Sequence, residues 1–146
     1  IVIFIVTIII GIALFTFYQL QSKSIEKFRF ELGQNRNLIL LSTLPNSPEL
    51  SYSYLGSEEN SVDTLKLISN ELSDKGFREI TVKQVYPETQ NVICNKQNYP
   101  DCNQYLIYSR KPNKIVNTQI ISMPVSLYFP YEDKYKAGTL EIKSYS

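Results

Sequence analysis

The first twenty residues constrain the fold of this chain more than any other feature. Residues 1–20, IVIFIVTIIIGIALFTFYQL, contain no charged side chain and carry apolar residues on every face of a helix. Because an α-helix rises 1.5 Å per residue, twenty residues span about 30 Å, the thickness of the hydrocarbon core of a bilayer. We therefore predict a transmembrane helix over residues 1–24, followed by an extracellular domain over residues 25–146.

Composition and charge argue against several classes of function. The 146 residues include 15 basic and 14 acidic side chains, and the net charge of +1 gives no field that gathers nucleic acid. There is no histidine, so the commonest general base and the commonest transition-metal ligand are both absent. The neighbouring carboxylates Glu58–Glu59 and Glu132–Asp133 lie in predicted turns, where solvated charges are expected. We predict no catalytic residue, cofactor, metal site, nucleic-acid partner or small-molecule substrate.

Charged side chains follow the apolar segment at the position of the membrane interface. Their cationic heads are expected in an interfacial collar, where they meet water or lipid headgroups: Lys23, Lys27 and Arg29. The residues that follow fit both a helix, through Ile25, Phe28 and Leu32, and a strand, through Phe28, Phe30 and Leu32. We favour a helix that continues for one or two turns and breaks near residues 33–37, where residues with weak helix propensity collect.

The rest of the chain predicts a small α+β domain. Residues 36–44, RNLILLSTL, are too few to span a bilayer and are expected to pack on this domain as a helix or a strand. A short strand is predicted over 49–55, a turn over 56–60, and a helix over 61–75 that Ser61 or Asp63 caps and Gly76 ends.

Period-2 alternation then predicts strands. They cover residues 77–87, 105–109, 115–128 and 139–145, with a turn over 129–138. Leu140 and Ile142 are expected to point inward in the last strand, and Pro124 indicates an edge position or a bulge in the third. The predicted architecture is an antiparallel β-meander with one packed helix.

Two cysteines lie in the polar loop between the first two of these strands. Cys94 and Cys102 enclose seven residues, NKQNYPD, and their spacing is wider than that of a CxxC redox pair. Disulfides persist outside the cytoplasm, which is where the membrane segment places this domain. We therefore predict a disulfide between Cys94 and Cys102, and an extracellular location.

Tyrosines are concentrated in the second half of the chain. Ordinary packing on a sheet and contact with another subunit both explain them, because a tyrosine ring packs while its hydroxyl stays wet. The residues concerned are Tyr99, Tyr105, Tyr108, Tyr128, Tyr131, Tyr135 and Tyr145.

The chain resembles archaeal type IV pilin-like proteins. The resemblance is carried by the apolar segment, which starts at residue 1 without Met or flanking Lys/Arg, by the polar collar, by the small β-rich domain and by the phrases LILLSTLP, VDTLKL, FREITVKQVYP and MPVSLYFPYEDKYKAGTLEI. Ile5 stands where bacterial type IV pilins carry Glu, which fits archaeal pilins better. The outer domain differs from the Thr- and Gly-rich Ig-like domains usual in archaeal pilins, because the chain has only 5 glycines and a predicted helix over residues 61–75.

The resemblance implies that a short basic leader has been removed and that the apolar helix assembles with copies of itself. The chain would reside in the membrane first and then form a helical homopolymer at the cell surface, a structural filament in which apolar helices replace lipid. The residues expected in the helix core are Ile1, Phe4, Ile5, Ile8, Gly11, Ile12 and Phe15.

A different class of function fits the same segments. The chain is then a monomeric, membrane-anchored extracellular binding protein or an accessory protein of a pilus or archaellum machine. Its apolar helix would be a single-pass anchor whose preceding residues are missing from the sequence.

Overall fold

The structure, a computed structural model, describes residues 2–54, 57–69, 72–87 and 91–146. Within these ranges the side chains of residues 2, 26, 29, 30, 54 and 57–60 are not described. The chain divides into two compact units, Ile1–Arg36 and Asn37–Ser146.

The N-terminal part of the chain forms one continuous helix, α1 (Val2–Thr43). The helical alternative is therefore confirmed for residues 25–32 and for residues 36–43, and Leu44 lies just beyond the end of α1. The predicted break near residues 33–37 is wrong. The helix continues through Gly33, although a glycine inside a helix costs about 1 kcal/mol. Burial outweighs this cost, because Asn37, Leu41 and Leu44 recur at helical spacing and are all buried in the second unit.

The second unit is built on a six-stranded sheet with a short helix. The elements after α1 are β1 (Ser51–Tyr54), β2 (Ser57–Asp63), α2 (Thr64–Ser69), β3 (Arg78–Tyr86), β4 (Gln104–Ser109), β5 (Thr118–Phe129) and β6 (Lys134–Tyr145). The strand order is β1-β2-β5-β6-β3-β4. The α+β class is confirmed.

The strand order differs from that of a simple meander. All pairs are antiparallel except β2 with β5, which run parallel, and β3 lies between β6 and β4. Among the described residues, two pairs join β2 to β5, Val62 with Leu127 and Asp63 with Tyr128. A sheet of this order depends on pairing between distant segments, which periodicity along the chain does not report.

Two sequence predictions between β1 and β3 are wrong. Residues 57–60 belong to β2 rather than to a turn, and the helix predicted over 61–75 is reduced to the six residues of α2. The apolar residues of this stretch recur at helical spacing, but Val62 is extended because it pairs with Leu127. Asp63 does cap α2, since its Oδ1 accepts a hydrogen bond from the Leu65 amide at 2.9 Å.

The two longest strands, β5 and β6, form an antiparallel pair along their whole length. The register is unbroken through Pro124, which lies opposite Thr139, and β2 joins β5 only beyond that point. Pro124 is therefore at a local edge rather than at a bulge. The turn predicted over 129–138 is shorter than expected, because β6 begins at Lys134, and Asp133 adopts a positive φ of 50° in it.

The hydrophobic core lies on one face of the sheet. Leu41 from α1 and Leu44 just after it belong to the same buried cluster as side chains from the central strands, among which Leu140 and Ile142 point inward as predicted. The strand members with almost no exposure are Ile80, Val82, Tyr105, Leu127, Phe129, Leu140 and Ile142. The core therefore fixes the last two turns of α1 on the sheet.

Candidate functional site

The most distinctive surface of the chain is the apolar segment of α1. Residues Ile3–Ile25 have a mean hydropathy of 2.4, and none of this stretch is buried. Large side chains are exposed on all sides, from Ile3 at 81 % to Ile8 at 47 %. The helix is long and apolar enough to cross a membrane, as an anchor or as a signal sequence.

Two hydroxyls within this segment are satisfied by their own helix. Thr7 Oγ1 donates to the carbonyl of Phe4 at 2.8 Å, and Thr16 Oγ1 donates to the carbonyl of Ala13 at 2.9 Å. Because buried polar groups without a partner are costly in hydrocarbon, such bonds let threonine enter lipid or a helix bundle. The segment thus presents an apolar surface despite its two threonines.

Most residues predicted in the helix core lie in the described part of α1. Five side chains are exposed in this single chain and are therefore available to lipid or to other helices: Phe4, Ile5, Ile8, Ile12 and Phe15. Gly11 has no neighbouring atom within 4 Å of the position that a Cβ would take. Ile1 lies outside the described residues. Their packing against copies of the chain stays a prediction.

The predicted collar begins with Lys23, inside the last turn of the segment Ile3–Ile25, and continues along the same helix. Lys23 and Lys27 are exposed, and the side chain of Arg29 is outside the described set. Lys27 Nζ lies 3.9 Å from Glu31 one turn later, with both side chains mostly in solvent. An exposed pair of this kind contributes little to stability, so these cations are available to lipid headgroups.

A buried asparagine fastens the end of α1 to the sheet. Asn37 Nδ2 donates to Ser144 Oγ at 2.8 Å and to Gln119 Oε1 at 3.3 Å, while its Oδ1 accepts from Arg78 Nε at 2.9 Å. Asn37 is 2 % exposed, so one side chain joins α1 to β3, β5 and β6. Asn37 is not recognisable from the sequence, because no local pattern distinguishes it from the neighbouring Asn35.

The predicted disulfide between Cys94 and Cys102 is present. Cys102 is buried, and the surrounding loop is held by the Cys94 amide, which donates to the Gln104 carbonyl at 2.7 Å. Tyr99, inside the closed loop, donates from its hydroxyl to Thr64 Oγ1 at 2.8 Å, which itself donates to the Tyr128 carbonyl. The bridge therefore fixes a loop that packs against α2 and β5, and it fits an extracellular location.

Removing this bridge is expected to lower the stability of the second unit. Replacing both Cys94 and Cys102 by serine frees the loop in the unfolded chain, which costs about 2 to 3 kcal/mol by the loop-closure estimate. The free energy of unfolding of the full chain, measured by denaturant titration in detergent, would show the loss. Thr64→Val serves as a control that removes the Tyr99 contact and leaves the bridge. An unchanged midpoint for the serine variant would contradict a stabilising role.

The tyrosines divide between the two alternatives that the sequence left open. Tyr105 is 1 % exposed and its hydroxyl has no hydrogen-bond partner among the described residues, so burial raises its pKa. Tyr131 is exposed on the turn between β5 and β6, and Tyr135 is exposed at the start of β6. Tyr131 lies over Tyr99 at 5.4 Å between ring centroids. Ordinary packing therefore accounts for the buried Tyr105, and contact of the exposed tyrosines with another subunit stays a prediction.

Two carboxyl groups of the second unit, Asp74 and Glu79, have pKa values below the ordinary range. The amide of Gly76 and the side chains of Tyr108 and Arg110 lower the pKa of Asp74 to about 2. Burial opposes ionisation of Glu79, but Lys111 at 3.0 Å and Lys143 at 3.5 Å outweigh it and lower the pKa of this carboxyl. Both groups are thus ion-paired with basic side chains of the same unit.

The neighbouring carboxylates that the sequence singled out are also engaged where they are described. Glu132 pairs with Lys136 at 2.8 Å, and Asp133 accepts a hydrogen bond from the Tyr128 hydroxyl at 2.9 Å. The side chains of residues 58 and 59 lie outside the described set. Over the described ranges no cluster of three or more metal-ligating side chains occurs.

Comparison of the chain with protein-family models, with curated proteins and with solved structures gave no match. The basis for a functional proposal is therefore the geometry of the chain itself, and above all that of α1.

Proposed function

We propose that the chain is a structural, pilin-like subunit of an extracellular filament of the type IV pilus kind, assembled through the apolar segment of α1. The observation that supports this proposal most directly is the segment Ile3–Ile25. It presents apolar side chains on every face and buries none of them in its own chain. Such a helix requires an apolar environment. Lipid provides it for the membrane-resident chain, and neighbouring copies of α1 provide it in a filament.

The continuity of α1 supports assembly. The same helix that carries the apolar segment continues to Thr43, and Leu41 within it and Leu44 just beyond it are buried in the core of the second unit. A filament subunit needs an assembly segment that is joined to an outer domain, and α1 runs from the one into the other. The transfer exchanges one apolar solvent for another, so close packing between helices decides assembly.

Gly11 offers a test that separates assembly from membrane anchoring. The variant Gly11→Leu keeps the segment apolar and meets open space within the single chain, so its membrane insertion and fold should be unchanged. If helices approach closely at this glycine, the added side chain prevents their contact. We expect filaments to be reduced at least tenfold while the amount of chain in the membrane fraction stays the same. The measurement is electron microscopy and mass identification of material sheared from cells.

Ile8→Leu is the matched control, because it changes shape but neither volume nor hydropathy to any large extent. Normal filaments in this control, together with loss in Gly11→Leu, would support close helix contacts. Filaments of wild-type abundance in the Gly11→Leu variant would argue against them. If the unmodified chain is found only in detergent-solubilised membranes and never in sheared material, the filament proposal fails. The chain would then be an anchored binding or accessory protein.

A further inference from the structure

A narrow stripe of exposed apolar side chains continues along α1 from the end of the apolar segment. Ile25, Phe28 and Leu32 are 52 %, 61 % and 42 % exposed. Steps of three and four residues place them on one face of the helix, at the spacing of the a and d positions of a heptad repeat. Asn35 takes the next position of this repeat and is exposed as well. The stripe therefore runs along about three turns of α1 within the first unit.

Polar side chains lie on the side of these turns that faces away from the stripe. Lys27 and Gln34 each follow a stripe residue by two positions, which is about 200° around an α-helix. Lipid in contact with the whole helix would have to accept these polar groups too, whereas a second helix can cover the stripe alone. A narrow apolar stripe on an otherwise polar helix is the pattern that favours pairing with another helix.

Two exposed side chains of opposite charge flank the stripe. Glu31 precedes Leu32 by one residue and Arg36 follows it by four, so they occupy the g and e positions of the repeat. Glu31 makes only a solvent-exposed contact of 3.9 Å with Lys27, and Arg36 has no ion pair among the described residues. In a parallel helix pair, a g residue lies beside the e residue five positions later in the other helix. Arg36 is five positions after Glu31, so the flanking charges complement those of a second copy in parallel orientation.

We propose that the stripe pairs with the same stripe of a second copy of this chain in the membrane, as a parallel, in-register contact of two helices. Insertion of the apolar segment in one membrane gives neighbouring copies the same orientation and depth. Ile25, Phe28 and Leu32 then pack on their counterparts. Glu31 of each copy forms an ion pair with Arg36 of the other.

This pair is distinct from the contacts of a filament. Neighbouring subunits of a helical filament are displaced along its axis, whereas copies in a membrane lie at one height. The in-register pair therefore belongs to the membrane-resident chain. The inference rests on insertion of α1, and it holds whether the inserted chain is a filament precursor or an anchored protein.

Cysteine cross-linking in a purified system tests the contact where no filament machinery is present. Both native cysteines are in the disulfide, so Leu32→Cys adds the only thiol. Gln34→Cys is the matched control, two residues away and on the other side of the helix. Each full-length variant is reconstituted into phosphatidylcholine vesicles, and copper phenanthroline oxidises neighbouring thiols to a disulfide. We expect at least fivefold more dimer on a non-reducing gel for Leu32→Cys than for Gln34→Cys, at the same ratio of lipid to chain.

Charge reversal tests the orientation and the register. In the Leu32→Cys background, Glu31→Arg or Arg36→Glu alone places like charges beside each other across the pair, and we expect about fivefold less dimer. The two changes together restore opposite charges and should return the dimer to its original amount. A change that merely disturbed the helix would not be reversed by the second one. Flotation of the vesicles shows that each variant is inserted.

Three outcomes would overturn the inference. The first is absence of a dimer for Leu32→Cys although the chain floats with the vesicles. The second is equal dimer for Leu32→Cys and Gln34→Cys, because that is the result of random collision. The third is failure of the double charge reversal to restore the dimer. The filament proposal is tested separately: filaments in sheared material without this dimer would remove the pair alone, whereas the dimer without filaments would support a paired membrane anchor.

Discussion

Replacing Asn37 by alanine is expected to lower the free energy of unfolding of the second unit by about 3 kcal/mol. Asn37 is buried and makes three hydrogen bonds to side chains of three strands. Alanine removes all three and leaves the Arg78 guanidinium, a charged donor, without this partner. Loss of a partner to a charged or buried polar group typically costs 1 to 3 kcal/mol, and the small cavity adds to this cost. Denaturant titration of the full chain in detergent, followed by the near-ultraviolet circular dichroism of tyrosine, would measure it.

Asn35→Ala is the matched control for this prediction. The side chain of Asn35 is exposed on the same helix, two residues earlier, and the change to alanine slightly favours the helix. Its midpoint should equal or slightly exceed that of the wild type. If Asn37→Ala and Asn35→Ala unfold at the same denaturant concentration, the hydrogen bonds of Asn37 do not stabilise the unit.

Local signals in the sequence were sufficient for several elements of the fold. β3 ends where Pro87 removes a backbone donor, and Leu140 and Ile142 alternate inward in β6 as their spacing predicts. The disulfide follows from two cysteines in one loop of a domain placed outside a membrane. Each of these depends on residues that are close together in the sequence.

The errors have a common physical cause, which is pairing between distant segments. Residues 61–63 fit an amphipathic helix by spacing, but Val62 is extended beside Leu127. The expected break in α1 did not occur, because burial of Leu41 and Leu44 outweighs the weak helix propensity of the preceding residues. Tertiary contacts override local propensity in both cases.

The candidate site could be predicted only in part for the same reason. The apolar segment of α1 is evident from composition, since twenty uncharged residues have few alternatives to a membrane or a helix bundle. Asn37 became recognisable only when Arg78, Gln119 and Ser144 were brought to it from distant parts of the chain. The filament itself depends on contacts between copies, so it stays a proposal.

Gly138 is the position where the smallest substitution is expected to have the largest effect. An added Cβ would lie 2.6 Å from Leu127 Cδ1 and 2.9 Å from the backbone carbonyl oxygen of Lys83, closer than real Cβ atoms approach. Leu127 is fully buried and Lys83 O belongs to β3, so neither can move without displacing the sheet. We expect Gly138→Ala to destabilise the second unit by about 3 kcal/mol, at the upper end for overpacking. The same denaturant titration would measure the loss.

Two further variants show whether this close approach is the cause. Gly33→Ala makes the same chemical change in α1, where an added Cβ meets nothing within 4 Å, and its only expected effect is a gain of up to about 1 kcal/mol in helix stability. Leu127→Ala alone should destabilise by creating a cavity, but Gly138→Ala with Leu127→Ala should cost clearly less than the two single changes together. Strictly additive losses would mean that Leu127 does not limit this position and that the Lys83 carbonyl alone excludes a side chain. Wild-type stability of Gly138→Ala would contradict the tight packing of β6 between β5 and β3.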